Sequence, residues 1–303
     1  MPKISIISAA NENFAQHYGV MLTSLFQNKK TETEIELYLL HTYLSEQNKI
    51  NILSITEKYK TNIHFIKVNI ADYEDCIKKG ILDNHLSNES YFRLSIARFS
   101  PKHLNKIIYL DCDLVILKDL ADLWTIDIEQ FAVGAVHDLT NPILDVYIKN
   151  LGINETNSYF NAGVMLINLK KWRYLNVEKF TFEFIVNRSV GDQAALNVIL
   201  HNKCLYLERK YNYMVPSYHK EKNVIQPSIV HFIGSIKPWD YMYENMSKRL
   251  YYRYLRRSPW KYYVPKDVTY TNIKYKYLKK HYKLHNLLKR FKTYIRTGPM
   301  KYL

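Results

Sequence analysis

Two carboxylates stand one residue apart where a buried strand of the sequence should continue. Asp111 and Asp113 follow the apolar run 107–110 and precede a second apolar run, 114–117. Carboxylates spaced this way just beyond a strand can both reach one cation, and Mg²⁺ and Mn²⁺ prefer oxygen ligands. Without a cation, two buried acids would be costly and their pKa values would rise. The pattern therefore indicates either a metal site or a turn at a strand end.

A second segment whose residues could bind a metal or a phosphate is "HFIGSIKPW", residues 231–239. A histidine that leaves an apolar strand is more often a satisfied core residue than a ligand. Here, however, Gly234 and Lys237 follow His231 and could bring backbone N–H groups and a cation to a phosphate. His231 with Asp111 and Asp113 would form a site of two carboxylates and one imidazole, which suits Mn²⁺ and leaves positions open for diphosphate oxygens.

Strands and helices alternate along the chain and would position these residues. This order predicts an α/β fold with a mixed, mostly parallel sheet and helices on both faces. Ligands of such sheets bind beyond the carboxyl ends of the strands, and four predicted strands end in polar residues. If the sheet is parallel there, the four ends converge on one crevice. They are "SAANEN", "YLDCD", "AVHD" and "VHFIG".

Length and composition limit the class of protein. A chain of 303 residues with 47% hydrophobic residues can bury a large core in one or two domains. Three cysteines without a CxxC pair argue against a disulfide framework and favour a reducing compartment. The N-terminus lacks the apolar segment of a signal peptide, and no run approaches the ~18 apolar residues of a membrane-spanning helix. We therefore expect a cytoplasmic protein.

Positive charge is concentrated at the C-terminus. Residues 245–303 contain 17 of the 43 Lys and Arg residues and one acid, Asp267, so their formal charge is +16. The whole chain has a net charge of +15. Residues 1–244 are nearly neutral. This asymmetry predicts a catalytic domain, 1–244, followed by a basic, aromatic helical extension, 245–303.

The end of this extension has helical periodicity. Lysines and arginines fill most positions around one apolar stripe, which consists of Ile273, Tyr277, Leu284, Leu288, Phe291 and Ile295. This pattern is typical of a helix lying on an anionic membrane surface. A nucleic-acid-binding segment and a solvated basic helix packed on the body are the alternatives. Because the apolar residues form a stripe, we expect peripheral attachment to the cytoplasmic face of the inner membrane and no nucleic-acid partner.

Five motifs together resemble a known family. "AANEN", "YLDCDLVI", "YFNAGVMLINLKKW", "GDQAALN" and "HFIGSIKPW" occur in the order and spacing of glycosyltransferase family 8, from Lys3 to about Trp239. That family contains retaining sugar-nucleotide transferases of the GT-A fold, among them bacterial lipopolysaccharide α-galactosyl- and α-glucosyltransferases and the glycogenins. The later "LRRSPWKYY" looks like the C-terminal extension of the lipopolysaccharide members.

The resemblance implies a role for each matched residue. The implied ligands of Mn²⁺, or of Mg²⁺, are Asp111, Asp113 and His231. The implied uridine loop contains Ala9, Asn11 and Asn13. Many members have an acid where Asn11 stands, but an amide can still pair with a uracil edge. Further implied contacts with the sugar nucleotide are Arg93, Asp111, Cys112, Asp138, Asn161, Ala162, Gly234 and Lys237.

The resemblance also implies a catalytic pair beneath the anomeric carbon, Asp192 and Gln193. Some members carry a further acid at the next position, where this chain has Ala194, so an Asp nucleophile is impossible there. We therefore expect departure and attack on the same face of the sugar, with Gln193 stabilising the cationic centre and the leaving phosphate accepting the proton of the acceptor.

The function that this resemblance implies is transfer of a hexose, galactose or glucose, from a UDP-sugar. The expected acceptor is a lipopolysaccharide, lipooligosaccharide or other surface glycan. A glycogenin-like self-glucosylating initiator is one alternative, which the 27 tyrosines favour superficially. A nucleic-acid-binding protein that uses the basic extension is the other.

Overall fold

A computed structural model describes residues 3–80, 87–138, 149–153, 159–215 and 226–282. The strands within these ranges are β1 (Ile4–Ala9), β2 (Ile35–His41), β3 (Asn62–Lys67), β4 (Lys106–Leu110), β5 (Leu114–Ile116), β6 (Val133–His137), β7 (Phe160–Asn168), β8 (Cys204–Tyr206), β9 (Tyr213–Met214) and β10 (Ile229–His231). Seven of them form the main sheet, in the order β3-β2-β1-β4-β7-β6-β8. β7 is antiparallel to both of its neighbours, whereas the other pairs are parallel. The predicted mixed, mostly parallel sheet is confirmed.

Helices cover both faces of this sheet. They are α1 (Ala15–Asn28), α2 (Glu46–Lys58), α3 (Glu74–Lys79), α4 (Ile96–Phe99), α5 (Ala121–Trp124), α6 (Leu169–Tyr174), α7 (Val177–Arg188), α8 (Asp192–Leu200), α9 (Lys248–Leu255) and α10 (residues 270–282). The sequence of residues 89–99, "ESYFRLSIARF", reads as one helix, but the structure has a 3-10 helix, Asn88–Ser95, followed by α4. The sequence analysis assigned no element to α6 or α7.

The central strands are buried on both faces because their side chains alternate between two cores. Ile4 and Ile6 of β1 pack with α1 and α2 on one face, whereas Ile7 packs with residues of α6, α7 and α8 on the other. Each fully buried isoleucine contributes about 1.5–3 kcal/mol relative to an exposed one. This explains why the strands read as continuous apolar runs and why polar residues at their ends stand out.

A second, small sheet with the order β5-β10-β9 adjoins the main sheet. β10 pairs antiparallel with β5 and parallel with β9. Of the four strand ends expected to converge, those of β1, β4 and β6 point toward the same edge of the main sheet. The fourth strand, β10, belongs to the small sheet. Asp111 and Asp113 lie between β4 and β5, where the chain passes from one sheet to the other, so the two acids interrupt the apolar run at a change of sheet.

The first part of the C-terminal segment packs on the body. In α9, Tyr251, Tyr254 and Leu255 are buried with residues of α1, β5 and β10. The hydroxyl of Tyr251 lies 2.7 Å from Nδ1 of His17, and that of Tyr254 accepts a hydrogen bond of 2.8 Å from Asn28. The predicted division after residue 244 stays a prediction, and the residues immediately beyond it have the body as their packing partner.

The second part of this segment contains α10. Ile273 and Tyr277 of the predicted stripe are exposed on α10, whereas Leu284, Leu288, Phe291 and Ile295 lie outside the described residues. The side of α10 that meets the body is basic, because Lys279 forms an ion pair of 2.8 Å with Glu244 and Lys276 bonds to the backbone oxygen of Tyr241. Within the described ranges, none of the helices has the length and apolarity needed to span a bilayer.

Candidate active site

The three predicted metal ligands lie together at the junction of the two sheets. Ligand atoms of Asp111, Asp113 and His231 all lie within 4.8 Å of one another, and Nε2 of His231 is 3.3 Å from Oδ1 of Asp113. The antiparallel register causes this proximity, since His231 stands opposite Leu114, one residue beyond Asp113. The backbone adds a bond, because the N–H of Phe232 donates to the carbonyl of Asp113 at 3.0 Å.

A glycine makes room for this cluster. A Cβ atom on Gly163 of β7 would lie 2.8 Å from Oδ2 of Asp111 and closer still to Cε1 of His231. Only a residue without a side chain fits there. The sequence analysis did not select Gly163, although a glycine inside an otherwise apolar strand often marks a close approach of this kind.

A buried asparagine orients the imidazole of His231. Nδ1 of His231 lies 3.0 Å from Oδ1 of Asn212, and the amide nitrogen of Asn212 donates to Oδ1 of Asn161 at 2.8 Å. Because the amide nitrogen of Asn212 is used for Asn161, its oxygen accepts the proton of Nδ1. This bond turns Nε2 toward Asp113, the orientation that a metal ligand requires. Asn212 is fully buried, and the sequence analysis missed it.

A buried lysine contacts one carboxylate of the metal cluster. Nζ of Lys237 lies 2.7 Å from Oδ2 of Asp113 and donates to the carbonyl oxygen of Phe232 at 2.7 Å. Burial by itself raises the pKa of Asp113, but Lys237 and His231 lower it more, so the pKa lies well below its ordinary value. Lys237 is thus buried against a carboxylate, whereas Gly234 is exposed on the turn before it, with φ of +86°.

Arg93 joins the metal cluster to the predicted catalytic pair. Its Nη2 is 3.1 Å from Oδ1 of Asp111, and its Nε is 2.9 Å from Oδ2 of Asp192. The hydroxyl of Tyr109 also donates to Oδ1 of Asp111, at 2.7 Å. Burial raises the pKa of Asp192; Arg93 opposes this increase, and the charge of Asp111 adds to it. The guanidinium therefore holds both acids in place from one buried position.

Gln193 has a defined amide orientation at the start of α8. Its Oε1 accepts the backbone N–H of Ala162 at 3.0 Å, and its Nε2 donates to Oδ2 of Asp138 at 3.0 Å. Asn161 donates to the same carboxylate oxygen at 3.2 Å. Through Asn161 and Asn212, this group is connected by hydrogen bonds to His231.

The predicted nucleotide loop lies at the end of β1, next to the metal cluster. Sγ of Cys112 donates to the carbonyl oxygen of Ala9 at 3.1 Å, and burial together with Asp111 and Asp113 raises the pKa of this thiol far above its ordinary value. Oδ1 of Asn11 accepts the backbone N–H groups of Asn13 and Phe14. Asn13 is exposed and accepts a bond of 3.2 Å from Lys266.

Hydrogen bonds and ion pairs connect the metal cluster, Arg93 and Lys237 with Asp192 and, through Asn212, with the Gln193–Asp138–Asn161 group. Asn13 bonds to Asn11 in the loop after β1, and both Asn13 and Gly234 are exposed. A model of glycosyl transferase family 8 matches residues 5–243 of this chain.

The chain belongs to glycosyl transferase family 8.

The alignments with three similar proteins span most of this chain and most of each relative. General stress protein A of Bacillus subtilis (strain 168) is 30% identical over 275 residues, covering 84% of this chain and 94% of that protein. Lipopolysaccharide 1,2-glucosyltransferase of Escherichia coli (strain K12) is 25% identical over 279 residues, covering 87% and 81%. Lipopolysaccharide 1,3-galactosyltransferase of Salmonella typhimurium (strain LT2) is 24% identical over 274 residues, covering 85% and 79%.

Solved structures agree with the family assignment. The galactosyltransferase LgtC in complex with donor and acceptor sugar analogs has a TM-score of 0.75 and 26% identity, covering 87% of this chain and 98% of that chain. An active-site glutamine-to-glutamate mutant of LgtC has a TM-score of 0.74 at the same identity. The predicted family and the GT-A fold are confirmed.

Proposed function

We propose that this family 8 glycosyltransferase is a retaining hexosyltransferase that transfers galactose or glucose from a UDP-sugar to a lipopolysaccharide, lipooligosaccharide or other surface glycan. The observation that carries the proposal is the cluster of Asp111, Asp113 and His231, connected by hydrogen bonds to Gln193 and Asp138. The named lipopolysaccharide glucosyl- and galactosyltransferase relatives support the sugar and acceptor classes.

The donor set fits a divalent cation. Two carboxylates and an imidazole whose Nε2 faces them suit Mn²⁺, or Mg²⁺ with less affinity for the imidazole, and Gly163 keeps the space beside them clear. Asp111, Asp113 and His231 would hold the ion. When bound, it would neutralise charge on the diphosphate as a Lewis acid. Lys237 adds a buried positive charge next to Asp113 and so favours a phosphate at this end of the crevice.

The arrangement around Gln193 supports same-face departure and attack. An amide is a weak nucleophile, and Ala194 is in the position where some family members carry an acid. Asp192 is held by Arg93 at 2.9 Å, which opposes its movement toward an anomeric carbon. Gln193 uses its nitrogen for Asp138 and one lone pair of its oxygen for Ala162, so a second lone pair remains to stabilise a cationic sugar.

The direct test is hydrolysis of a panel of nucleotide sugars by the full chain with Mn²⁺. We expect release of UDP from UDP-galactose or UDP-glucose, and a product whose first-formed anomer, followed by NMR, retains the donor configuration. Transfer to the chain itself, seen as an increase in its intact mass, would instead favour the self-glucosylating alternative. An inverted product, or turnover of no UDP-sugar, would contradict the proposal.

Replacing Gln193 by Ala is expected to slow transfer by about 10²-fold while UDP binding persists. Removal of a true nucleophile commonly costs far more, up to about 10⁶-fold. The two effects can be separated by single-turnover kinetics and calorimetric titration of UDP. A glycosyl adduct on Gln193 in trapped wild-type protein, detected by peptide mass spectrometry, would contradict the same-face mechanism.

We also propose that the C-terminal segment attaches the enzyme to the cytoplasmic face of the inner membrane, where a lipid-linked acceptor would be found. On α10 the side chains that contact the body are lysines, whereas Tyr270, Ile273, Tyr277 and Leu278 are exposed. Electrostatic attraction alone is screened beyond ~8 Å at physiological salt, so these apolar groups must add burial at the surface.

Truncation before Asn272 is expected to abolish binding to anionic vesicles and to leave hydrolysis of UDP-sugars nearly unchanged, because every proposed site residue lies upstream. Sedimentation with vesicles measures the first effect. A full-length Ile273→Asp variant keeps almost all of the positive charge and should bind more weakly than the wild type. Equal sedimentation of full-length and truncated protein would show that the segment is only a packed helix.

A further inference from the structure

Glu89 is a buried carboxylate that the proposed mechanism does not use. It lies in the 3-10 helix Asn88–Ser95 and is 6% exposed. Its Oε2 accepts a hydrogen bond of 2.8 Å from Nδ2 of Asn11, beyond β1, and its Oε1 accepts one of 2.7 Å from the hydroxyl of Thr42, beyond β2. The carboxylate therefore lies at the carboxyl ends of two parallel strands, where α/β sheets bind their ligands.

Asn11 is unable to serve as the acceptor at this end of the crevice. Its side-chain oxygen has two lone pairs, and both are used by the backbone N–H groups of Asn13 and Phe14, at 3.0 and 3.1 Å. Its amide nitrogen points at Glu89. The expected pairing of this amide with a uracil edge is therefore limited to the single N–H that remains, and the imide N–H of uracil needs another acceptor.

Glu89 has the capacity to be that acceptor. A carboxylate accepts about four hydrogen bonds, and neutral donors occupy two of these positions. Among the described residues Glu89 forms no ion pair, so its carboxylate is held by hydrogen bonds and has room for a further donor. Glu89 lies near the metal cluster, because it bonds directly to Asn11, two residues beyond Ala9, and the carbonyl oxygen of Ala9 accepts the hydrogen bond of Cys112, between Asp111 and Asp113.

We infer that Glu89 reads the nucleobase of the donor by accepting the N3–H of uracil, with Asn11 and Thr42 positioning its carboxylate. This inference rests on the proposed UDP-sugar function and names the residue that selects the base. A carboxylate here favours bases that present an imide N–H and rejects cytosine, whose N3 is an acceptor. Two acceptors facing each other in a buried site leave both without a donor, which is the strongest form of rejection available to such a pocket.

The test is calorimetric titration of UDP, CDP and N3-methyl-UDP with Mn²⁺ present. In the wild type, both N3-methylation and the change to cytosine should weaken binding at least tenfold relative to UDP. In Glu89→Ala the penalty for each change should fall to about twofold. Glu89→Gln places an amide that can donate to cytosine N3, so the ratio of UDP to CDP affinity should fall at least tenfold. Thermal unfolding of each variant checks that it is folded.

Glu12→Gln is the matched control, since Glu12 neighbours Asn11 but accepts its hydrogen bond from the backbone of Ser45. It should keep the wild-type preference among the three nucleotides. If the wild type binds UDP but tolerates N3-methylation, or if Glu89→Ala keeps the full penalty, the inference about Glu89 is wrong and the proposed function stands. If the wild type binds no UDP, both are overturned.

Discussion

Replacement of Asp113 by Asn is expected to reduce kcat/KM for UDP-sugar hydrolysis by at least about 10³-fold. Loss of a partner that merely orients a metal ligand typically costs 10–100-fold, and loss of a charged ligand should cost more. Asp113 also balances the buried charge of Lys237 at 2.7 Å, so the variant leaves that cation without a carboxylate partner in addition to weakening the metal site. The measurement is a steady-state assay over a range of Mn²⁺ concentrations.

Asp122→Asn provides a control for this experiment, because Asp122 is an exposed acid of α5 whose side chain takes no part in the hydrogen bonds and ion pairs described above for the site. Its activity should remain within about twofold of the wild type, as is usual for surface substitutions. Recovery of activity in Asp113→Asn at high Mn²⁺ would show that the lost function is metal binding. Full activity of the wild type in EDTA would refute the metal hypothesis.

Gly163→Ala is expected to cause the second largest effect, a loss of about 10²-fold or more in activity together with weaker binding of Mn²⁺. The added methyl group would overlap Cε1 of His231 and lie 2.8 Å from Oδ2 of Asp111. His231 cannot turn away without breaking its bond to the buried Asn212, so the ligands must separate. The cost in folding free energy should be modest, about 1–3 kcal/mol, as for other overpacked sites.

Gly134→Ala separates this effect from the general consequence of a methyl group in the sheet. Gly134 lies in β6, which pairs with β7, and a Cβ there would meet only methyl carbons: one of Leu207 at 3.3 Å, and one each of Leu207 and Ile128 at 3.5 Å, as its three nearest atoms. Its Mn²⁺ affinity should equal that of the wild type, whereas Gly163→Ala should bind Mn²⁺ at least tenfold more weakly by calorimetry. Equal affinities in the two variants would mean that Gly163 is not needed for the metal site.

The sequence determined the features that depend on neighbours along the chain. Apolar runs indicated the strands that end in "SAANEN", "YLDCD" and "AVHD", which are β1, β4 and β6, because burial imposes the period of each element. The acids after β4 were identifiable for the same reason, since a polar pair inside an apolar run must have a purpose. The ordered motifs added the family, and with it the expectation that His231 joins Asp111 and Asp113.

Only the tertiary structure decided which distant residues complete the site. Asn212 meets Asn161 across 51 positions and Lys237 meets Asp113 across 124, and nothing in the local pattern of either segment marks these pairs. The sequence suggested that Lys237 contacts a phosphate and that Asn11 pairs with a base, and both stay predictions. The fold adds that Lys237 lies against Asp113 and that backbone N–H groups use both lone pairs of the Asn11 oxygen. These contacts are set by the strand register and by the junction of the two sheets. Register and junction bring together segments that are far apart in the chain, so they exist only once the sheets have assembled.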